Sequence, residues 1–206
     1  MNLKLMKNLN ALYVEDDPIV AEQTRTLLEN YFSTVYYCSN AEDGLKVLEE
    51  QPVHLLITDI ELPGMNGLEL CETIRKSNNQ MPIFITTMHN HKDLLMKAVK
   101  LNLVDYLVKP ITVSNITESL SESLERLYQN GQLEYQINKT TFFYPMQDEL
   151  KKDGQTVSLT MNEAKLLQLL FEHKNQVVDK TTIEHTVHPD EPMSDSAYKN
   201  LIYRLR

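Results

Sequence analysis

Three short segments bring acidic and basic side chains to the points where apolar runs stop. Leu55-Leu56-Ile57-Thr58-Asp59-Ile60-Glu61-Leu62-Pro63-Gly64-Met65-Asn66-Gly67 carries Asp59 out of an apolar run and into a Pro/Gly loop. Leu12-Tyr13-Val14-Glu15-Asp16-Asp17 ends in acids, and Tyr106-Leu107-Val108-Lys109-Pro110 ends in a lysine. Carboxylates gathered at one point repel each other: two unit charges ~4 Å apart interact by ~4 kcal/mol at an effective dielectric of ~20. Such a cluster needs a cation or shifted pKa values. An all-oxygen donor set suits Mg2+, which binds through a few carboxylates, retained waters and a phosphate. Asp59 would then be placed to attack phosphorus and form an aspartyl phosphate. Catalysis would come mainly from positioning and charge neutralisation. Lys109 would neutralise one phosphoryl oxygen, and Thr87 would donate its hydroxyl to another.

The elements that must position these residues follow from the pattern through residue 130. Strands are expected at Ala11–Val14, Val35–Cys38, His54–Thr58, Ile83–Thr86 and Tyr106–Val108, each followed by a helix. The first helix starts with Asp17 as N-cap and Pro18 at the first helical position and runs to about Tyr31. Others run from Asn40 to about Gln51, from Leu68 to Lys76, and over roughly Lys92 to Leu101. The last carries Ile116, Leu120, Leu124 and Leu127 on one face. Five strand–helix units imply a parallel sheet covered on both faces, with all three chemical segments ending on one side of it.

The segment around Tyr128–Glu134 reads as a short linker, and beyond it the grammar changes. Short strands are expected at Tyr135–Asn138, Thr141–Tyr144, Glu149–Lys151 and Thr156–Leu159. A capping box, Thr160-Met161-Asn162-Glu163, opens an apolar helix through Leu166, Leu167, Leu170 and Phe171. Further helices follow Asp179 and start near Ser194 or Asp195. The division expected is an α/β domain over 1–130 and a smaller α+β domain over 131–206.

Composition narrows the function. The 206 residues carry a net charge of −9, with −7 in residues 1–131 (11 Lys/Arg against 18 Asp/Glu) and −2 in residues 132–206 (9 against 11). Neither part shows a basic stripe. Cys38 and Cys71 are expected to be free buried thiols in a reducing, cytoplasmic compartment. No apolar run approaches the ~18 residues of a membrane span, so no membrane partner is expected.

Taken together, Leu12–Pro18, Thr58–Gly67, Ile85-Thr86-Thr87 and Asp105–Pro110 resemble the receiver domain of bacterial two-component response regulators, over residues from about 10 to 128. The resemblance implies a flavodoxin-like five-stranded parallel sheet. It implies that Asp59 accepts phosphate from a sensor histidine kinase, and that Mg2+ is held by Asp16 directly, Glu15 through water, Asp59, and the main-chain carbonyl of Glu61. Thr87, rather than Thr86, fits the family spacing to Asp59 and Lys109. Tyr106 would be the aromatic switch that turns inward with Thr87, while Asp17 remains a cap. Two departures stand out. The family usually carries a small residue where this chain has Met88, whose bulk is expected to restrict access to the phosphoryl group. The last receiver helix also lacks much of the basic set that pairs activated dimers through the fourth and fifth helices. Asp105 fits that homodimer pattern.

Val157–Glu163 and Met193–Arg206 resemble the OmpR/PhoB-type winged-helix effector domain, over about 132–206. The final segment divides on helical spacing into an inward stripe, Ala197, Leu201 and Leu205, and a polar face, Ser196, Lys199, Asn200, Tyr203 and Arg204. Such a face enters the major groove of promoter DNA. Arg204 and Asn200 suit base edges, Lys199 and Arg206 suit phosphates, and Tyr203 lies among them. The family's following hairpin is missing after Arg206, so the domain is expected to lack its C-terminal wing. His185 and His188, spaced i, i+3, lack a third ligand for a metal. The expected protein is a phosphorylation-switched transcription regulator rather than an enzyme. The rivals are a phosphorelay or protein-interaction module without DNA output, and a haloacid-dehalogenase-type phosphatase. The phosphatase would need a second acid working at the nucleophile strand, whereas here the acidic pair lies upstream.

Overall fold

The computed structural model describes residues 2–77, 80–88, 99–189 and 191–205. The chain divides into two compact units, Met6–Leu127 and Tyr128–Arg206, the second also including Asn2–Leu5.

In the first unit, β1 (Asn10–Val14), β2 (Thr34–Cys38), β3 (Leu55–Asp59), β4 (Ile83–Thr87) and β5 (Asp105–Val108) form one parallel sheet in the order β2-β1-β3-β4-β5. β3 and β4 are buried at every position. That is why their sequences are continuous apolar runs rather than alternating ones: helices cover both faces of a parallel sheet. Four helices are described, α1 (Pro18–Leu28), α2 (Ala41–Glu50), α3 (Gly67–Lys76) and α4 (Val113–Gln129). The last of these is the helix expected as the fifth. The helix expected over roughly Lys92–Leu101 lies outside the described residues except at its end.

Strand register assigns the faces. Leu12, Val14, Leu56, Ile83 and Ile85 pack with Ala41, Leu68, Cys71 and Ile74 in one buried cluster. Alternation along each strand sends Tyr13, Ile57, Phe84 and Leu107 to the opposite face. On α4, Ile116, Leu120, Leu124 and Leu127 are buried as their spacing predicts. α1 stops at Leu28, short of the expected Tyr31. The Asn30 amide donates to the carbonyls of Thr26 (3.0 Å) and Leu27 (3.3 Å), taking up the helix's last acceptors.

β5 is an edge strand whose sole neighbour is β4. The turn that feeds it is tied down by two arginines. Arg75 on α3 donates from Nε to the Leu101 carbonyl (2.8 Å) and from Nη1 to that of Met81 (2.9 Å). Arg126 on α4 reaches the carbonyl of Leu103 at 3.4 Å.

The second unit opens with an antiparallel meander, β6 (Tyr135–Asn138), β7 (Thr141–Tyr144), β8 (Glu149–Lys152) and β9 (Gln155–Ser158). The β8–β9 turn is Asp153-Gly154, with φ of 49° and 81°, the left-handed pair that a two-residue hairpin demands. Three helices follow: α5 (Met161–Glu172), α6 (Lys180–Val187) and α7 (Asp195–Arg204). Thr160 and Glu163 form the expected capping box on α5, and Asp179 and Ser194 cap α6 and α7. Tyr135 stacks toward Phe171 with ring centroids 4.7 Å apart, and Phe143 joins them. A second cluster, Leu166, Leu169, Ile183, Val187 and Leu201, joins the three helices. The inward stripe of α7 differs from the expected one. Ala197 is exposed, and Tyr198, Leu201, Ile202 and Leu205 face the core instead. The larger apolar side chains, one position around the helix, bury more surface, so they set its rotation.

Candidate functional site

β1, β3 and β5 deliver three charged side chains to the carboxyl edge of the parallel sheet. Glu15 follows β1, Asp59 ends β3 and Lys109 follows β5. Alternation along the strands places all three on the same face as Tyr13 and Ile57. The Lys109 ammonium lies 2.5 Å from Glu15 Oε2 and 2.7 Å from Asp59 Oδ2, with all three side chains almost wholly buried. Burial acts to lower the lysine pKa, but the hydrogen bonds and charges of Asp59 and Glu15 outweigh it, and the net shift is upward. Burial pushes the Glu15 carboxyl up despite its contact with Lys109. The other Asp59 oxygen, Oδ1, accepts from the Ile60 amide at 2.7 Å.

Asp16 is exposed beside this pair. One carboxylate oxygen from each of Glu15, Asp16 and Asp59 falls within 4.8 Å of the others, and this is the sole grouping of metal-ligating side chains among the described residues. Its donors are all hard oxygens with two buried acids at its base, a set that fits a divalent cation. Glu61 is exposed in the loop that follows. That loop is held by glycine. A Cβ on Gly67 would sit 1.9 Å from the Asp59 carbonyl oxygen, so only glycine lets α3 begin this close to the acid. Asp17 acts as the cap of α1, its Oδ1 accepting from the amides of Ile19 and Val20.

Thr87 ends β4, 2% exposed. The register pairs Ile85 with Tyr106 and Thr87 with Val108, so Thr87 and Tyr106 share the opposite face from Asp59. Tyr106 is half-buried against the Leu12–Ile85 cluster. Met88 is 61% exposed beside them. Asp105 is already engaged: it accepts from the Tyr106 amide at 2.7 Å and from the Ser119 hydroxyl.

Sequence reasoning missed several residues here. Tyr13 is fully buried and its hydroxyl donates to Glu15 Oε2 at 3.1 Å. The Tyr37 hydroxyl donates to the Glu15 main-chain carbonyl at 3.0 Å. Thr86, the register partner of Asp59, is fully buried and its hydroxyl has no hydrogen-bond partner among the described residues. The period-two spacing of Tyr13 and Glu15 was the one available signal.

In the second unit Lys199, Asn200 and Tyr203 are exposed along α7, Tyr203 at 78%. Arg204 is differently placed. Its Nε meets Glu163 Oε1 at 2.8 Å, so part of its guanidinium is committed within the unit. Arg206 lies outside the described residues. His188 Nε2 is hydrogen-bonded with the Asn162 amide at 2.9 Å. No helix among the described residues is long and apolar enough to cross a membrane.

Residues 11–121 match the family described as response regulator receiver domain, and residues 154–206 match the family described as transcriptional regulatory protein, C terminal. The chain is 26% identical over 200 residues to the transcriptional regulatory protein QseB of Haemophilus influenzae, covering 96% of this chain and 90% of that protein. It is 26% identical over 186 residues to the transcriptional regulatory protein YvrH of Bacillus subtilis, covering 88% and 78%. Among solved structures, a CheY-like response regulator receiver domain protein from Methanospirillum hungatei aligns with a TM-score of 0.55 at 26% identity, covering 60% of this chain and 98% of that one.

Proposed function

This chain belongs to the response regulator family, a receiver domain joined to an OmpR/PhoB-type DNA-binding domain, and we propose that Asp59 accepts phosphate from a sensor histidine kinase to control how the second unit engages promoter DNA. The observation that carries this reading is the Lys109 ammonium set between Glu15 and Asp59 at 2.5 and 2.7 Å, next to Asp16. In the transfer, an Asp59 oxygen forms a bond to phosphorus as the kinase's phosphorus–nitrogen bond breaks, and the imidazole leaves with a proton. Oδ1 is held by the Ile60 amide and Oδ2 by the Lys109 ammonium, so Oδ2 is the oxygen that attacks as the lysine lets go of it. Lys109 then passes from Asp59 to a phosphoryl oxygen and keeps its charge compensated. Glu15, Asp16, Asp59 and the Glu61 carbonyl would hold Mg2+, which supplies charge neutralisation for the phosphoryl oxygens. The Thr87 hydroxyl follows the new acceptor, and Tyr106, on the same face, follows Thr87. That rearrangement couples phosphate to output only through its differential stabilisation of two states.

Lys199, Asn200 and Tyr203 are the residues we assign to DNA, with Arg206 beyond them; Lys199 suits phosphate and Asn200 suits an adenine edge. Arg204 is assigned first to holding α7 against Glu163. The test combines Asp59→Asn with promoter binding in the presence of a small-molecule phosphodonor and Mg2+. Donor-dependent binding should vanish in the variant, and its survival would refute the mechanism. Salt dependence of that binding should report the phosphate contacts.

A further inference from the structure

Glu15 is gripped by two tyrosines. Tyr37 holds its main-chain carbonyl at 3.0 Å and Tyr13 holds its carboxylate at 3.1 Å, the two rings lying 6.4 Å apart. A phenol has one proton to give. Here it goes to Glu15 Oε2. The other Glu15 oxygen has a weaker hold, the Asp17 amide at 3.4 Å.

This grip matters because the cation that holds Glu15, Lys109, is the one that must move. Lys109 is shared between Glu15 and Asp59, and a lysine that turns toward a phosphoryl group leaves Glu15 Oε2 with one partner fewer. The orientation of the carboxylate then rests on the partners that remain. The Tyr13 hydrogen bond comes from a fully buried ring, reaches the same oxygen as Lys109, and does not depend on that lysine.

We propose that Tyr13 is a positioning residue that keeps the Glu15 carboxylate turned into the pocket with Asp16 and Asp59 and so sets the pocket's affinity for a divalent cation. The proposal rests on the reading of that pocket as a cation site. Tyr13 differs in this from a core filler, whose ring alone would matter: the work is assigned to its hydroxyl.

The experiment is a calorimetric titration of the full chain with MgCl2. The wild type is compared with Tyr13→Phe, Glu15→Gln, the double variant, and Asp16→Asn. Tyr13→Phe should bind roughly tenfold more weakly, as expected when a ligand's outer partner is removed. In the Glu15→Gln background, loss of the hydroxyl should make no further difference, because its action runs through the Glu15 carboxylate. Unchanged affinity in Tyr13→Phe, or an equal loss in both backgrounds, overturns the proposal. Absence of Mg2+ binding in the wild type, or undiminished binding in Asp16→Asn, instead removes the cation-site reading and the proposal with it. If Tyr13→Phe does not fold, 4-fluorophenylalanine at position 13 serves in its place. It keeps the ring and nearly the full size of the phenol but has no proton to donate, and it should weaken Mg2+ binding in the same Glu15-dependent way; unchanged affinity there overturns the proposal.

Discussion

Arg204, on the polar side of α7, holds Glu163 at 2.8 Å, and Glu163 is the acid of the capping box that opens α5. One ion pair therefore joins the start of one helix to the end of another. Glu163 is buried while Arg204 is 62% exposed at its side chain, so solvent discounts the pair. Arg204→Ala should lower stability by about 0.5–1 kcal/mol. The loss should disappear in a Glu163→Gln background, as read from urea unfolding. Base preference in DNA binding should persist in Arg204→Ala; its disappearance would return Arg204 to the base-reading set.

The same acid predicts a pH dependence. Burial works to raise the Glu163 pKa, but hydrogen bonds from the Thr160 amide and hydroxyl, with the Arg204 charge, outweigh it and hold the carboxyl below its usual value of 4.5. A depressed carboxylate contributes stability that is present above the unfolded-state pKa and is lost as pH falls through the folded one. Urea midpoints at about pH 7 and about pH 4 should therefore converge more closely in Glu163→Gln than in wild type.

Thr86 gives a stabilising substitution. Its hydroxyl is buried beside Asp59 without a partner among the described residues. Thr86→Val keeps the shape and removes the unsatisfied group, so stability should rise by about 1 kcal/mol in chemical denaturation. An unchanged or lowered stability would mean the hydroxyl has a partner when the site is loaded.

Gly67→Ala should do the opposite. Its Cβ would meet the Asp59 carbonyl at 1.9 Å, with backbone rather than a flexible side chain in the way. We expect a loss of about 1–3 kcal/mol, together with slower acyl phosphate formation, measured by phosphodonor labelling.

Met88 stands exposed where the family carries a small residue. Met88→Ala should speed either acceptance or hydrolysis of the phosphoryl group, followed by labelling and decay. Unchanged rates for both would assign Met88 no gating role.

The sheet, its five strands and the convergence of Glu15, Asp59 and Lys109 were legible because each is written locally. A buried parallel strand is a continuous apolar run, and its last residue names itself by being charged. The effector helices announced their starts through Thr160, Asp179 and Ser194 in the same way. What was not legible depends on register and on long separations. Whether Thr86 or Thr87 shares a face with Asp59 follows from strand pairing. The hold of Tyr37 on the Glu15 carbonyl joins residues 22 positions apart on neighbouring strands. The rotation of α7 was misread at Ala197 because apolar residues fall on two adjacent stripes, and the bulk of the partner surface chose between them.

The arginines of α3 and α4 have a mechanical consequence for β5. Arg75 and Arg126 fasten the turn before its first residue, while the chain beyond its last residue carries Lys109. An outermost strand moored upstream by arginines and downstream by an ammonium between two acids is clamped at both ends. When the ammonium leaves the acids, the upstream mooring alone becomes the fulcrum about which the strand can bend.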